Sequence, residues 1–355
     1  MAEAKLKDLG SLKPSLKKLI NAPFSNPNTT PAPPHIRNIY QRLSREAKER
    51  KYGERPWITI AAAATFTLNS PQSLTALHSV ASSTVPHPSS PTSTSSSQST
   101  LTPLLLAELI REVGLKSISF NGIPRTINCL NAFRSDLEVN PWSSSLSSRP
   151  SRTVTNRNIN DTISRGNSLW KSIYTPHHSK LSQKLALAHP DLPGYILQGH
   201  YSMLLSDPPH SDGGTVPQQA RLGRCLTSLV AVACLRAQTG VGPQVLSHVY
   251  GLKKAIAQEL HKTEDEFEID GAEGKEGIER LAGDEGCEWV LSSVDAIAKA
   301  IGGGNFAQWE REAHEEEEEG VEDDTQLDGE VSEVSNVAEE VQEELQNGRR
   351  RESKL

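Results

Sequence analysis

The chain has 355 residues, a formal net charge of −7, 35% hydrophobic residues and 5% aromatic ones. This apolar share is below that of an average globular domain, so part of the chain is expected to remain unpacked. No stretch approaches the roughly 18 uncharged apolar residues of a membrane-spanning helix, and no membrane partner is expected.

Residues 1–35 are rich in Lys, Pro and Asn and show little periodicity, which predicts a disordered N-terminal segment. A basic segment of this kind is also compatible with a mitochondrial presequence. Glu3 and Asp8, however, interrupt the acid-poor composition that such signals have. A mitochondrial location therefore stays open, as does a cytoplasmic one.

The stretch 36–140 is predicted to be the first helical half. Residues 57–68 are apolar almost all round, which is typical of a buried helix. A helical stripe further along is expected to end at Gly114, and residues 116–120 are the one short β-like run. A Ser/Pro-rich loop at 82–103 interrupts this half and is predicted to be disordered.

The stretch 159–305 is predicted to be the second helical half, after a Ser/Arg-rich linker. Its most regular part has apolar residues at i, i+3, i+4, i+7 and i+11, on one face of an amphipathic helix: Leu226, Leu229, Val230, Ala233 and Ala237. Pro243 suits the first turn of the helix that follows. Convincing strand patterns are absent from the sequence, so the predicted fold is all-α.

Each half contains a helix–break–helix unit with a histidine one to two turns into its second helix. The first unit is residues 57–81, with His78, and the second is residues 226–251, with His248. Self-similarity of this kind is typical of an internal duplication. The sequence therefore predicts two helical repeats that coincide with the two halves.

Two segments resemble a known family: Phe120–Arg134, with its Asn-Gly-Ile-Pro turn, and Leu226–Ala255, which includes Gln244-Val-Leu-Ser-His248. They are similar to the Gly-hydrophobic-Pro helix start and the core helix pair of the all-helical superfamily that contains alkylhydroperoxidase D and carboxymuconolactone decarboxylase. The resemblance covers residues 36–305. It implies one domain with an AhpD-like bundle of two repeats, a small-molecule substrate and no cofactor, and it leaves a homo-oligomer open.

The chain departs from the redox branch of this superfamily, which reads C-x-x-C-x-x-x-H. Val241 and Gln244 stand where the two cysteines would precede His248, so a thiol peroxidase would lack its nucleophile. The resemblance therefore points to the decarboxylase-like branch. The cysteines that do occur have no zinc-site spacing, so we expect free thiols and no metal site: Cys129, Cys225, Cys234 and Cys287.

His248 is the predicted catalytic residue, because an imidazole on an apolar helix face can relay protons near pH 7. Gln244 lies one turn earlier and would position a carboxylate or an enolate. Arg125 and Asn128 would supply a cation and a hydrogen bond, and His200 would border the same pocket. The resemblance implies a decarboxylase-like lyase that acts on a small carboxylic or lactone substrate, and these residues would supply the proton relay and the anion partner that it needs.

Two other functions stay open. A lone histidine on an apolar helix face is often a hydrogen-bonded core residue, in which case the chain is a non-catalytic helical binding protein. A redox protein of the alkylhydroperoxidase type would instead need Cys129 or Cys234 in a pocket that lowers the pKa of the thiol.

Residues 306–355 are predicted to be a disordered acidic tail. Within 310–348, 17 acidic residues stand against one basic residue, so the body of the chain is mildly basic. That body has no Lys/Arg cluster interleaved with aromatic residues, and no nucleic-acid partner is expected. The last three residues, Ser353-Lys354-Leu355, match the peroxisomal import signal, which predicts a peroxisomal location and the import receptor as a partner.

Overall fold

The structure is a computed structural model that describes residues 13–23, 27–84, 101–208, 220–263 and 271–302. The described residues form fourteen α-helices and one π-helix but no strand, which confirms the prediction of an all-α fold. None of the helices in these ranges has the length and apolar character that crossing a bilayer requires. The acidic tail and most of the Ser/Pro-rich loop lie outside the described residues.

The first half contains six of these helices: α1 (Pro14–Ile20), α2 (Ile36–Glu49), α3 (Glu54–Thr67), α4 (Pro71–Thr84), α5 (Pro103–Asn121) and α6 (Ile123–Leu137). Helix α1 lies within residues 1–35, and none of its residues is buried. A proline stands at the first or second position of α1, α4, α5 and α6, where its missing N–H costs no hydrogen bond.

The second half contains the other eight α-helices and the π-helix: α7 (Ile159–Tyr174), α8 (His178–Ala188), α9 (Leu192–Tyr195), the π-helix (Ile196–Leu205), α10 (Gly223–Gln238), α11 (Gly242–Ala257), α12 (Leu260–Thr263), α13 (Gly271–Leu281) and α14 (Asp284–Ile301). A 3₁₀ turn at Pro141–Ser145 precedes the irregular linker that joins the two halves.

Helices α3 and α10 form the centre of the fold, because each is buried on nearly all sides. Every residue from Arg55 to Thr67 is buried in α3, and every residue from Arg224 to Leu235 is buried in α10. The two helices pack against each other, and α5 and α14 pack against both. A helix that is apolar all round belongs in a core, so this arrangement agrees with the pattern of residues 57–68.

Helix α5 does not end at Gly114, so that sequence expectation is wrong. It runs through the β-like residues 116–120 to Asn121, and Gly122, at φ +77°, follows it. Gly114 instead permits close packing on α3, because a Cβ atom built there would lie 2.6 Å from Cε1 of Phe66. The glycine is an interior packing residue of the helix, which periodicity alone cannot distinguish from a terminator.

Buried charges attach α5 to the second half. Lys116 donates a hydrogen bond to Oγ1 of Thr227 at 2.8 Å, and its Nζ lies 2.8 Å from Oδ1 of Asp207. Glu112, one turn earlier, forms an ion pair with Arg152 of the linker. Charged groups are tolerated in a core only when they are paired and hydrogen-bonded. These contacts therefore hold the linker and the end of the π-helix against α5.

A smaller layer is formed by α7 and the π-helix, and α7 also packs on α11. Gly166 permits the close approach, because a Cβ atom built there would lie 2.5 Å from the Cα atom of Ser202. The short helix α9 is followed directly by the ten-residue π-helix. The wider π-helical turn changes which residues face α7, and Tyr201 is among those that do.

Candidate functional site

His248 lies on the buried face of α11, and its side chain is 5% exposed. The helix begins after the break at Thr239–Val241, and Pro243 occupies its first turn. Buried residues then follow at helical spacing, with Gly251, Leu252 and Ala255 on the same face as the histidine. The sequence expectation that this imidazole faces the interior therefore agrees with its position.

Two aromatic side chains, Phe120 and Tyr174, contact the imidazole of His248, and a third, Tyr201, contacts Tyr174. Nε2 of His248 lies 3.5 Å from the Tyr174 hydroxyl, which in turn lies 3.0 Å from the Tyr201 hydroxyl. The ring of Phe120 meets the imidazole edge-on, with centroids 6.0 Å apart. These residues come from α5, α7, the π-helix and α11, and together with Arg224 we call them the His248 cluster.

Arg224 brings a buried positive charge to the cluster. Its side chain is on α10 and donates hydrogen bonds to Oγ of Ser172 and to the carbonyl oxygen of Gly251, both at 2.8 Å, as well as to Oγ of Ser228. Gly251 leaves room for the guanidinium, since a Cβ atom there would lie 3.4 Å from Nη2 of Arg224. The cation is therefore held in place by α7, α10 and α11 together.

The other ring nitrogen of His248, Nδ1, finds no hydrogen-bond partner within the part of the chain that the structure describes. Nδ1 is buried, and no side-chain or backbone group of the described residues bonds to it. His78, the histidine of the first helix pair, is different: its Nε2 lies 2.8 Å from the carbonyl oxygen of Pro103. Buried polar atoms without a partner usually have a functional or solvent explanation, so Nδ1 of His248, like Nδ1 of His200 and of His261, is a candidate to meet a ligand or a water molecule.

The environment keeps His248 neutral. Burial is the larger cause and the charge of Arg224 the smaller one, and together they lower the pKa of His248 to about 3. A neutral imidazole offers one hydrogen-bond donor and one acceptor, and it becomes a stronger base only if a negative charge comes close. The cluster is thus suited to a ligand that carries an anionic group.

The remaining predicted site residues are either exposed or bonded to groups outside the His248 cluster. Gln244 is exposed at the start of α11. Arg125 donates to the carbonyl oxygen of Thr67 at 2.6 Å, and Asn128 donates to Oδ1 of Asn69 at 3.3 Å, so these two residues meet at the C-terminal end of α3. His200 is half-buried on the π-helix, where its ring contacts Tyr195.

Sequence reasoning missed Tyr174, Tyr201 and Arg224. A signal existed for the first, because Trp170 and Tyr174 are one helical turn apart in α7 and their rings pack with centroids 4.2 Å apart. Arg224 stands at the start of a helix that carries no other charge before Arg236, and a charge next to such an apolar run indicates a buried partner. Tyr201 carried no such signal, since its direction depends on the π-helical register.

All four cysteines are free and buried, and the described residues contain no group of three or more His, Cys, Asp or Glu that could hold a metal ion. Burial raises the pKa of Cys129 to about 12 and also raises that of Cys234. Sγ of Cys234 lies 3.5 Å from Oγ of Ser117 on α5. Such thiols are poor nucleophiles, because the thiolate is the reactive form.

An open surface groove of about 600 Å³ lies elsewhere, between α4, α6 and the segment before α2. Its walls include Pro33, Pro34 and Val139, with Arg37 and Asp136 at polar positions. None of the residues that line it belongs to the His248 cluster. The groove therefore adds nothing to the chemistry of His248.

No family model, curated protein or solved structure matches this chain.

Proposed function

We propose that the chain is a carboxymuconolactone decarboxylase-like protein in which His248 performs acid–base chemistry on a small carboxylic or lactone substrate. The observation that carries the proposal is the buried Nδ1 atom of His248, to which none of the described residues bonds, while Nε2 lies 3.5 Å from the Tyr174 hydroxyl. The burial of this imidazole beside a cation suits a reaction in which negative charge develops.

The groups present match the needs of a decarboxylation. When a β-keto carboxylate loses CO₂, the electron pair of the broken carbon–carbon bond stays on the substrate as an enolate, which then takes up a proton. Arg224 would stabilise the enolate, in the role that the sequence assigned to Arg125. The substrate's own charge would raise the pKa of His248, so that the imidazole could accept a proton and pass it on.

Membership in the AhpD-like superfamily, with two helical repeats, is part of the same proposal. Helices α3 and α4 and helices α10 and α11 are two helix–break–helix pairs, and the first members of the pairs pack against each other. The second member of each pair carries a buried histidine, His78 in α4 and His248 in α11. An arrangement of this kind is expected after duplication of a helix pair.

A non-catalytic binding protein is the second candidate. It is favoured by the exposure of Gln244 and by the aromatic rings of Phe120, Tyr174 and Tyr201 that fill the space beside His248. A redox function at Cys129 or Cys234 is less well supported, because burial raises the pKa of both thiols.

A peroxisomal location through Ser353-Lys354-Leu355 belongs to the proposal as well. These residues lie outside the described part of the chain, and the sequence match supports the proposal. A fluorescent protein fused in front of Met1 should enter peroxisomes, and the same fusion without the last three residues should not. Entry into mitochondria, or an unchanged location after removal of the tripeptide, would exclude a peroxisomal location through these residues.

The proposed chemistry is tested by a screen of small β-keto acids and lactones with CO₂ release and substrate loss as readouts. Wild type, His248→Ala and His78→Ala would be compared. His78 is the matched control, because it is a buried histidine at the corresponding place in the other helix pair. Turnover that is lost in His248→Ala but kept in His78→Ala supports the proposal. Equal activity in wild type and His248→Ala would remove His248 from the mechanism.

A further inference from the structure

We propose that Asp207 is a positioning residue for the His248 cluster, because its carboxylate caps the N-terminus of α10 and thereby holds Arg224 beside the imidazole. The inference rests on the proposed function, in which Arg224 stabilises negative charge on the substrate. It adds the residue that holds this cation in place, which follows the π-helix and is not itself a member of the cluster.

Helix α10 has no cap from its own N-cap residue. The first N–H groups of an α-helix have no partner within the helix, and the side chain of Leu222 offers them no acceptor. Asp207 supplies the acceptor instead: its Oδ2 accepts a hydrogen bond from the backbone N–H of Gly223, with 2.7 Å between the two heavy atoms. Gly223 has φ +56°, in the left-handed region that favours glycine. The capped residue is thus the one directly before Arg224.

The carboxylate of Asp207 is itself fixed and charged. Its Oδ1 lies 2.8 Å from Nζ of Lys116, which also donates a hydrogen bond to Oγ1 of Thr227 on α10 at 2.8 Å. Burial tends to raise the pKa of Asp207, but the positive charges beside it outweigh this effect and keep the carboxylate ionised at neutral pH. A negative charge at a helix N-terminus is also stabilised by the helix dipole.

The first turn of α10 has one face for the cap and another for the imidazole. Gly223 and Thr227 are one helical turn apart, and they are bonded by Asp207 and by its lysine partner, respectively. Arg224 lies about 100° further round the helix, and its guanidinium donates to one acceptor on α7 and to one on α11. A rotation or shift of this turn would therefore carry Arg224 away from both acceptors.

The position of Arg224 can be read from His248. Burial is the larger cause of the low pKa of His248, and the charge of Arg224 is the smaller one. Loss of Asp207 would have two effects of opposite sign on this pKa. Removal of a negative charge would lower the pKa, whereas displacement of Arg224 would raise it. Two variants of equal charge separate these effects.

The matched variants are Lys116→Met/Asp207→Asn and Lys116→Met/Asp207→Leu. Both lack the buried ion pair, and Asn and Leu have nearly the same shape, but only Asn keeps an oxygen that can accept from the N–H of Gly223. Uncharged side chains of similar volume often replace a buried ion pair without loss of the fold, so both variants are expected to fold. In each, ¹H–¹⁵N NMR on the full-length protein follows the Nε–H of Arg224 and the ring of His248.

We expect the Nε–H of Arg224 to exchange with water about tenfold faster in the Asp207→Leu double variant than in the Asp207→Asn one, because a hydrogen bond that holds the turn is lost. The pKa of His248 should be higher by about 1 unit in the same variant. His78 is the internal control, since its ring bonds to the carbonyl oxygen of Pro103 and not to the cluster. Equal exchange rates or equal pKa values in the two variants would overturn the inference, and so would changes of the same size at His78.

A measurement on the wild type tests the cap without any substitution. The amide proton of Gly223 should exchange slowly, although the first N–H groups of a helix usually exchange fast, and fast exchange at Gly223 would overturn the inference. Failure of the proposed function is distinguishable, because none of these measurements needs turnover. The expected results in a chain that converts no substrate leave the role of Asp207 standing and refute the enzyme.

Discussion

Lys116 has no exposed surface, and its Nζ lies 2.8 Å from Oδ1 of Asp207, which follows the π-helix. Burial tends to raise the pKa of Asp207, but the charges of Lys116 and Arg152 outweigh it and hold that pKa below its usual value. The pair thus connects the central helix α5 to the layer that supplies Tyr201. Loss of Asp207 leaves the buried Lys116 without its counterpart, and loss of Lys116 leaves Asp207 with the more distant Arg152 alone.

The first prediction concerns this pair. Lys116→Met should lower the free energy of unfolding by about 3 kcal/mol, because breaking a buried ion pair leaves Asp207 partly uncompensated. Urea unfolding at pH 7 measures the change. Lys253→Met is the matched control, because Lys253 pairs with the exposed Asp284, and it should change stability little.

A double variant gives a sharper version of the same test. In Lys116→Met/Asp207→Asn both charges are removed, so the combined loss should be smaller than the sum of the two single losses. Strict additivity would show that the two side chains do not interact in solution.

The second prediction is a pH dependence of stability. Because the pKa of His248 is lowered to about 3 in the folded chain, only the unfolded chain takes up this proton as the pH falls below about 6.5. The stability that depends on a neutral His248 is fully present above about pH 6.5. It is lost at about 1.4 kcal/mol per pH unit between about pH 6.5 and pH 3.

His248→Gln removes this titration. Between pH 7 and pH 5 the variant should therefore lose about 2 kcal/mol less stability than the wild type. His189→Gln, at an exposed position, is the control for the loss of a histidine side chain. Parallel curves for wild type and His248→Gln would mean that His248 becomes protonated in the folded chain.

The third prediction concerns the contact between α7 and the π-helix. Gly166→Ala should destabilise the protein by about 2 kcal/mol, because the new Cβ atom meets backbone atoms of Ser202 that cannot move aside singly. Gly194→Ala is the control, since no atom lies within 4 Å of a Cβ there. Thermal unfolding measures the melting temperature of each variant. Equal melting temperatures for Gly166→Ala and Gly194→Ala would contradict the close approach of α7 to the π-helix.

The fourth prediction concerns the thiols. Because all four cysteines are buried and burial raises the pKa of Cys129 to about 12, a thiol reagent at pH 7.5 should modify the native protein at least about a hundredfold more slowly than the unfolded one. Rapid modification of Cys234 in the native state, or a disulfide found by mass spectrometry, would support the redox alternative.

The sequence was sufficient for the parts of the fold that depend on local periodicity. The apolar run at 57–68 predicted a buried helix, and α3 is one. Pro243 correctly predicted the start of the helix that carries His248. These predictions succeed because a segment that is apolar on all sides fits a buried helix, and because a proline is tolerated in the first turn of a helix but not in its interior.

The rest depends on contacts that no local pattern encodes. Gly114 looked like a helix end, yet it lies inside α5 because Phe66, distant in sequence, packs against it. The sequence carries signals that Tyr174 and Arg224 are buried, but no local pattern shows that they lie near His248. Tyr174, Tyr201 and Arg224 come from three different elements, and only their packing brings them to the imidazole.

The most direct test of the central claim is the protonation of His248 in the presence of a carboxylate, followed by NMR from pH 8 to pH 5. Without ligand, the ring should stay neutral throughout this range, because its pKa is about 3. Saturating acetate should raise that pKa by about 1 to 3 units, so that the ring begins to protonate near pH 5. The account would be contradicted if the ring stays neutral at pH 5 in saturating acetate. Protonation of the ring near pH 6 without acetate would contradict it as well.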